Sequence, residues 1–247
     1  MSRVVYGINP VGEALKANAA HIEKVFYSDK DHSKTLNLLA QCREKRIKVY
    51  KEGQERLNLL AGTSKHQGVV ALISDFKYRE LAHIIDAWKM SGEKALILIL
   101  DGIEDPHNLG AIIRSAEAAG VHGIIIPKNR AVSVTSTVEK VSAGAVEHVN
   151  IAMVTNISKT IDELKKEGLW VAGAEASGEA SLFKSDFNCD IALVIGGEGK
   201  GIRHLVKEGC DFIFSIPMKG KVNSLNASVS TALVLYEVVR QREWPLQ

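Results

Sequence analysis

Apolar residues follow two rhythms along this chain, and the change between them falls near residue 94. Before it, short apolar runs alternate with polar stretches. The spacing predicts helices over 11–20, 33–45 and 55–61, with strands over 22–27, 47–50 and 69–73. In the second helix, Leu36, Leu39 and Ala40 are spaced for one buried face. After residue 94 the strands lose their alternation. Ala95-Leu96-Ile97-Leu98-Ile99-Leu100 is apolar throughout, as in a strand of a parallel sheet covered on both faces. Further strands are predicted over 122–126, 148–153, 169–174, 191–195 and 212–217. Helices are predicted between and after them over 108–119, 136–144, 157–167, 200–207 and 226–242. In the last helix Val229, Leu233 and Tyr236 recur at turn spacing, which predicts a buried stripe. Strands alternating with helices argue for an α/β fold, a mostly parallel sheet with helices on both faces.

Residues 76–93 are charged, include a helical pattern from Arg79 to Met90, and end at Ser91-Gly92-Glu93. They read as a connector between a small α/β domain over 1–75 and a larger one over 94–247.

Composition narrows the class. The 247 residues are 46% hydrophobic and 24% charged, ordinary for a globular protein. No run approaches the ~18 apolar residues of a membrane span. The N-terminal Met1-Ser2-Arg3-Val4 lacks the apolar core of a secretory signal. Cys42, Cys189 and Cys210 are scattered, which suits a cytoplasmic protein and predicts neither disulfides nor a metal site. Net charge is +2, unevenly placed: residues 1–75 hold 12 Lys/Arg against 8 Asp/Glu, the remainder 19 against 21. The basic excess is densest around Arg43, Lys45 and Arg46. Such a run can track phosphates, and equally suits the solvated end of a helix.

Three strand–loop–helix junctions carry the candidate chemistry. In the first, Asp101 to Gly110 leads into a helix, with Asn108 at its start and Arg114 off the apolar stripe of Ile112, Ala116 and Ala119. Asn108 alone suits a helix cap. In the second, Gly196-Gly197-Glu198-Gly199-Lys200-Gly201 sets one carboxylate among four glycines, where backbone can approach a ligand closely. It is neither GxGxxG nor GxxxxGK[ST], which speaks against a nicotinamide-dinucleotide enzyme and against a P-loop. In the third, the strand ending at Ile216-Pro217 runs into Lys219, Lys221, Ser224, Leu225 and Asn226. Ser224 and Asn226 can cap the following helix or hydrogen-bond a ligand.

Taken in order, Asn108…Gly110…Arg114…Glu117…Gly120, then Ile195 to Gly201, then Ile216-Pro217-Met218…Ser224-Leu225-Asn226-Ala227-Ser228 resemble the three signature motifs of the SpoU (TrmH-like) RNA 2′-O-methyltransferases of the SPOUT superfamily. Tyr6-Gly7-Ile8-Asn9-Pro10 and His66-Gln67-Gly68-Val69 resemble the family's small L30e-like substrate-binding domain, with Asn9 where a histidine is usual. The resemblance implies a C-terminal deep trefoil knot, an exception to the un-knotted rule. It implies S-adenosylmethionine held by Gly196, Ile216 and Leu225, with Ala174 and Gly197 nearby, and a homodimer that completes the site. The implied substrate is large-subunit ribosomal RNA, at a guanosine ribose; transfer RNA is the alternative. Lys219, Lys221, Arg43, Lys45 and Arg46 become candidate RNA contacts.

The implied reaction moves a methyl group to a ribose 2′-hydroxyl, which is hardly ionised at neutral pH. Arg114, Asn108, Glu198, Ser224 and Asn226 are the candidate catalytic residues. A guanidinium is effectively always protonated, so Arg114 is expected chiefly to stabilise alkoxide charge and clamp a phosphate, with Arg114, Glu198 and water all left open as the acceptor of the proton. Asn108 is expected to orient it, with Glu198 holding the loop or pairing with Arg114. A reading of another class is a non-catalytic RNA-binding factor of ribosome assembly.

Overall fold

The computed structural model describes residues 2–17, 19, 22–28, 33–74, 76–199 and 201–244. Ala20, the expected end of the first helix, and Lys200 of the glycine loop lie outside them. The chain divides into two compact units, Met1–Lys77 and Tyr78–Gln247.

The first unit runs β1 (Ser2–Tyr6), α1 (Ile8–Ala17), β2 (Ile22–Tyr27), α2 (Ser33–Glu44), β3 (Lys48–Lys51), α3 (Gln54–Ala61), β4 (Val69–Ser74). The sheet order is β1-β4-β2-β3, with β4 antiparallel to both neighbours and β2 parallel to β3. One sheet face buries Val25, Val69, Ala71 and Ile73 with Val11 and Leu15 of α1 and Leu38, Leu39 and Cys42 of α2. Leu36, expected inward, is exposed. The inward positions of α2 are 35, 38, 39 and 42, so the helix is turned one residue from the expected face. The His66-Gln67-Gly68 segment is structural. His66 Nδ1 accepts from Gly68 N (3.1 Å), and its Nε2 lies 2.9 Å from Asn58 Oδ1. Gln67 Oε1 accepts from Ile8 N (3.1 Å), which satisfies an open donor at the start of α1.

The second unit runs α4 (Leu81–Ser91), β5 (Leu96–Asp101), α5 (Pro106–Ala118), β6 (Gly123–Pro127), α6 (Ser136–Val141), β7 (Ile151–Val154), α7 (Ile157–Lys166), β8 (Trp170–Ala174), β9 (Ala180–Ser181), β10 (Ile191–Gly196), α8 (His204–Gly209), β11 (Phe212–Ser215), α9 (Ala227–Glu243). Its sheet is parallel throughout, in the order β7-β6-β5-β10-β8-β11-β9. Every residue of β5 is buried, as its unbroken apolar run predicts. On one face Ile97, Ile99, Ala192 and Val194 meet Ile157, Ile161 and Leu164 of α7.

The expected connector is only partly one. Its helix, α4, belongs to the second unit, where Ile84 and Trp88 join the same core cluster. Gly123 is small because Ile84 leaves no space there: an added Cβ would come within 2.5 Å of it.

The last helix closes the unit at both ends of the sheet. At its C-terminal end Arg242 donates to the carbonyls of Lys94 (2.9 Å), Ala95 (2.7 Å) and Cys189 (2.7 Å). Its N-terminal end stands beside the start of α5, at the carboxyl ends of the strands. The stripe expected to be buried is turned outward: Val229, Leu233 and Tyr236 are 48%, 42% and 52% exposed. The inward face is instead Ala227, Thr231, Val234, Leu235 and Val238, packed toward α5 and β10. The helix is apolar on two sides, so spacing alone does not choose between them.

Ile84→Ala should leave a cavity at the α4–sheet junction. We expect a loss of about 2–5 kcal/mol in chemical denaturation followed by circular dichroism.

Candidate active site

Three junctions at the carboxyl edge of the parallel sheet meet in space. The first is the start of α5. Its cap is Asp105, whose carboxylate accepts from His107 N (2.9 Å), with Pro106 next. Asn108 is thereby released from the capping role open to it in the sequence. It sits in the first turn, buried, with its side chain turned to the other two junctions.

The second junction follows β10. Gly197 N donates to Asp101 O (2.9 Å), and Gly201 N to Gly197 O (3.0 Å), which closes a tight loop. Both Gly196 and Gly197 are required by packing. A Cβ on Gly196 would overlap the backbone of Gly201 and Ile202, and one on Gly197 would overlap the carbonyl of Gly102. The loop is locked by a pair that sequence reasoning did not find. Asp101, at the end of β5, is buried. Its Oδ2 accepts from Arg203 N (2.8 Å), and its Oδ1 from Arg203 Nε (2.7 Å) and Nη2 (2.6 Å). Backbone and guanidinium thus engage one carboxylate, a strong charge-assisted arrangement. The partners are 102 residues apart and no local motif marks either.

The third junction leads from β11 to α9. Asn226 is the cap: its Oδ1 accepts from Ser228 N (2.9 Å), Ser228 Oγ (2.6 Å) and Val229 N (3.4 Å). Its amide nitrogen donates to Asn108 Oδ1 (2.9 Å) and to Glu198 Oε1 (2.7 Å). Asn108 Nδ2 donates to the same Glu198 oxygen (3.0 Å). The two asparagines and the glutamate form a closed triangle that joins all three junctions.

Beside the triangle lies a cavity of about 620 Å³. All five residues expected to hold a cofactor line it: Gly196, Gly197, Ile216, Leu225 and Ala174. Ser224, Glu198 and Asn226 line it too. Its wall combines glycine main chain with aliphatic side chains, which suits a ligand having both a flat apolar part and hydrogen-bonding groups.

The remaining expected residues stand apart from the triangle. Arg114 is exposed on α5 and has no hydrogen bond or ion pair among the described residues. The amide of Asn108, expected to orient it, is committed to Glu198 and Asn226. Lys219 and Lys221 are exposed on the third loop. Arg43, Lys45 and Arg46 are exposed at the end of α2 and the turn before β3, in the first unit. Burial raises the thiols of Cys42 and Cys189, and that of Cys210 to about 12, so none is poised as a thiolate. No group of three or more His, Cys, Asp or Glu suited to a metal occurs among the described residues.

A parallel α/β sheet with a backbone-lined cavity at its carboxyl edge defines a ligand-binding α/β protein of the open-sheet kind. The particular family follows from comparison with known proteins. Residues 95–236 match the SpoU rRNA Methylase family, and residues 4–79 match the family described as RNA 2′-O ribose methyltransferase substrate binding. A Bacillus subtilis protein named as a TrmH family tRNA/rRNA methyltransferase, YacO, is 43% identical over 96% of this chain and 95% of its own. One of the same description from Staphylococcus haemolyticus is 44% identical over 97% and 96%. The SpoU methyltransferase AviRb of Streptomyces viridochromogenes, crystallised with AdoMet, superposes with a TM-score of 0.67 at 26% identity, over 97% of this chain and 90% of that one. The chain belongs to the SpoU rRNA methylase family.

Arg203→Ala strips the guanidinium from the buried Asp101 carboxylate. It should lower unfolding free energy by about 1–3 kcal/mol, whereas Arg114→Ala, at an exposed position, should change it by less than about 0.5 kcal/mol. Urea denaturation of the two variants side by side checks both values.

Proposed function

We propose that the protein transfers a methyl group from S-adenosylmethionine to a ribose 2′-hydroxyl of RNA. The observation that carries this is the junction of Asn108, Glu198 and Asn226 beside the cavity. Three family motifs far apart in sequence meet at that junction, and the second and third of them line the pocket with glycine main chain and aliphatic side chain. The pocket fits the cofactor: Gly196 and Gly197 line it with main chain, because their tight loop leaves no room for a side chain, and Ile216, Leu225 and Met218 offer apolar surface for an adenine. Gly196, Gly197, Ala174, Ile216 and Leu225 would hold it. Bound there, S-adenosylmethionine supplies a methyl group already activated by its sulfonium charge.

The chain's own task is the hydroxyl. The Arg114 side chain has no hydrogen bond or ion pair among the described residues, so its guanidinium can meet alkoxide charge and an adjacent phosphate. Asn108 and Asn226 spend their amides on Glu198 and hold the three loops in register. Glu198 acts as the shared acceptor of that junction rather than as a partner of Arg114. Ser224 faces the cavity. Lys219, Lys221, Arg43, Lys45 and Arg46 supply exposed positive charge for the RNA backbone.

The substrate we favour is a guanosine of large-subunit ribosomal RNA in the cytoplasm. Transfer RNA is the second reading, since the relatives' names include both. The order of the second sheet supports the trefoil knot. The chain leaves β5 for β6 and β7, returns to β8, inserts β10 between β5 and β8, and sends α9 back against α5. The outward stripe of Val229, Leu233 and Tyr236 on α9 supports a homodimer, in which a second copy covers it.

Incubation with labelled S-adenosylmethionine and total ribosomal or transfer RNA from a strain lacking the gene tests the activity. Label on a ribose of ribosomal RNA is expected. Tight RNA binding without transfer would favour an assembly factor. In single turnover, Arg114→Lys should stay at least about 100-fold slow at every pH if Arg114 is a fork-shaped clamp. Recovery of rate with a shifted pH profile would make it the base. Tyr236→Asp should shift the protein from dimer to monomer in light scattering, because a charge would enter the covered face.

A further inference from the structure

The first unit has a second sheet face that its core does not use. Side chains alternate along a strand, so the face opposite α1 and α2 carries Val4 and Tyr6 of β1, Val70 and Leu72 of β4, Lys24 and Phe26 of β2, and Lys48 and Tyr50 of β3. The register sets these side chains in two rows across the sheet. One row reads Tyr6, Val70, Phe26, Tyr50, and the other Val4, Leu72, Lys24, Lys48. α3 packs against β1 and β4. The β2–β3 part stays open: Lys24 and Lys48 are exposed, and Tyr50 is 41% exposed.

Two features of this face are unusual for an idle surface. Phe26 and Tyr50 are stacked, with ring centroids 5.7 Å apart and planes 28° apart. Lys24 and Lys48 are direct cross-strand partners, a like-charge pairing that costs stability. Neither lysine has an ion-pair partner among the described residues. Lysine on an edge strand also discourages strand addition, which would account for Lys48 alone. It accounts neither for Lys24 on the inner strand nor for the stacked rings. Flat aromatic surface flanked by unpaired positive charge is the chemistry that receives unpaired bases and their phosphates. The exposed Arg43, Lys45 and Arg46 lead directly into β3 and extend the positive charge.

We propose that the β2–β3 face is a stacking platform for a single-stranded segment of RNA, with Tyr50 and Phe26 under the bases and Lys24 and Lys48 on the phosphates. This deepens the RNA-substrate reading above and rests on it for the biological role of the bound strand. The lysines are positioned to act on affinity, and no reacting atom is involved.

The test uses the full chain and a fluorescein-labelled, mixed-sequence 12-nucleotide RNA, read by anisotropy without cofactor. Tyr50→Ala should weaken binding roughly tenfold, and Tyr50→Phe should stay near wild type. Lys24→Gln with Lys48→Gln should reduce the slope of log Kd against log salt by about 1.4. In the wild type, 5-iodouridine crosslinks should map to Tyr50 or Phe26. Crosslinks confined to other residues, or unchanged affinity in both Tyr50→Ala and Phe26→Ala, would overturn the platform. If Tyr50→Ala loses its folded circular dichroism, the lysine pair and the crosslink map decide. Binding of S-adenosylhomocysteine should be the same in all variants. A wild type that stacks RNA but transfers no methyl group would sink the methyltransferase reading and leave the platform standing. Methyl transfer with no effect at Tyr50 or Phe26 would do the reverse.

Discussion

A single side-chain amide holds the candidate site together. Asn226 caps the last helix with its oxygen and bridges Asn108 and Glu198 with its nitrogen. The three residues belong to junctions separated by up to 118 positions in the chain. Without that bridge, Asn108 still joins the first junction to Glu198, but the start of α9 loses its side-chain link to both. With it, the start of α5, the glycine loop and the start of α9 share one rigid corner. Arg242 fixes the other end of α9 to the start of β5, so the helix is strapped across the sheet at both ends. The cavity wall is then set by chain geometry before any ligand arrives, as preorganised binding requires.

The corner also separates two kinds of residue. Asn108, Glu198 and Asn226 are mutually satisfied and shape the site. The side chains of Arg114 and Ser224 have no hydrogen bond or ion pair among the described residues. Asp101 and Arg203 support the corner from below by tying the glycine loop to the end of β5. A carboxylate buried this fully is tolerable only because backbone and guanidinium donors converge on it.

The sequence makes the parallel sheet readable because strands buried on both faces lack alternation, and β5 shows this in every residue. Strand β1 and the two-residue β9 escape notice, being too short or too mixed to show a rhythm. Helix faces are harder. α2 inverts the expected role of Leu36, and α9 turns Val229, Leu233 and Tyr236 outward, because a helix apolar on two sides leaves the choice to packing. The candidate site residues stand out in the sequence as an ordered triple of motifs, but their mutual contacts do not. The expected link between Asn108 and Arg114 gives way to one between Asn108, Glu198 and Asn226. The Asp101–Arg203 pair left no linear trace, since neither residue type nor spacing distinguishes it from any surface charge.

The pocket wall at Gly196 and Gly197 has an evolutionary consequence. Substitution there meets backbone rather than a movable side chain. A lineage can therefore vary the rim of this pocket but not its floor without rebuilding the loop. An inhibitor that reads the floor's main-chain groups would face a surface from which single-residue escape is closed off, because the atoms it contacts are common to every amino acid.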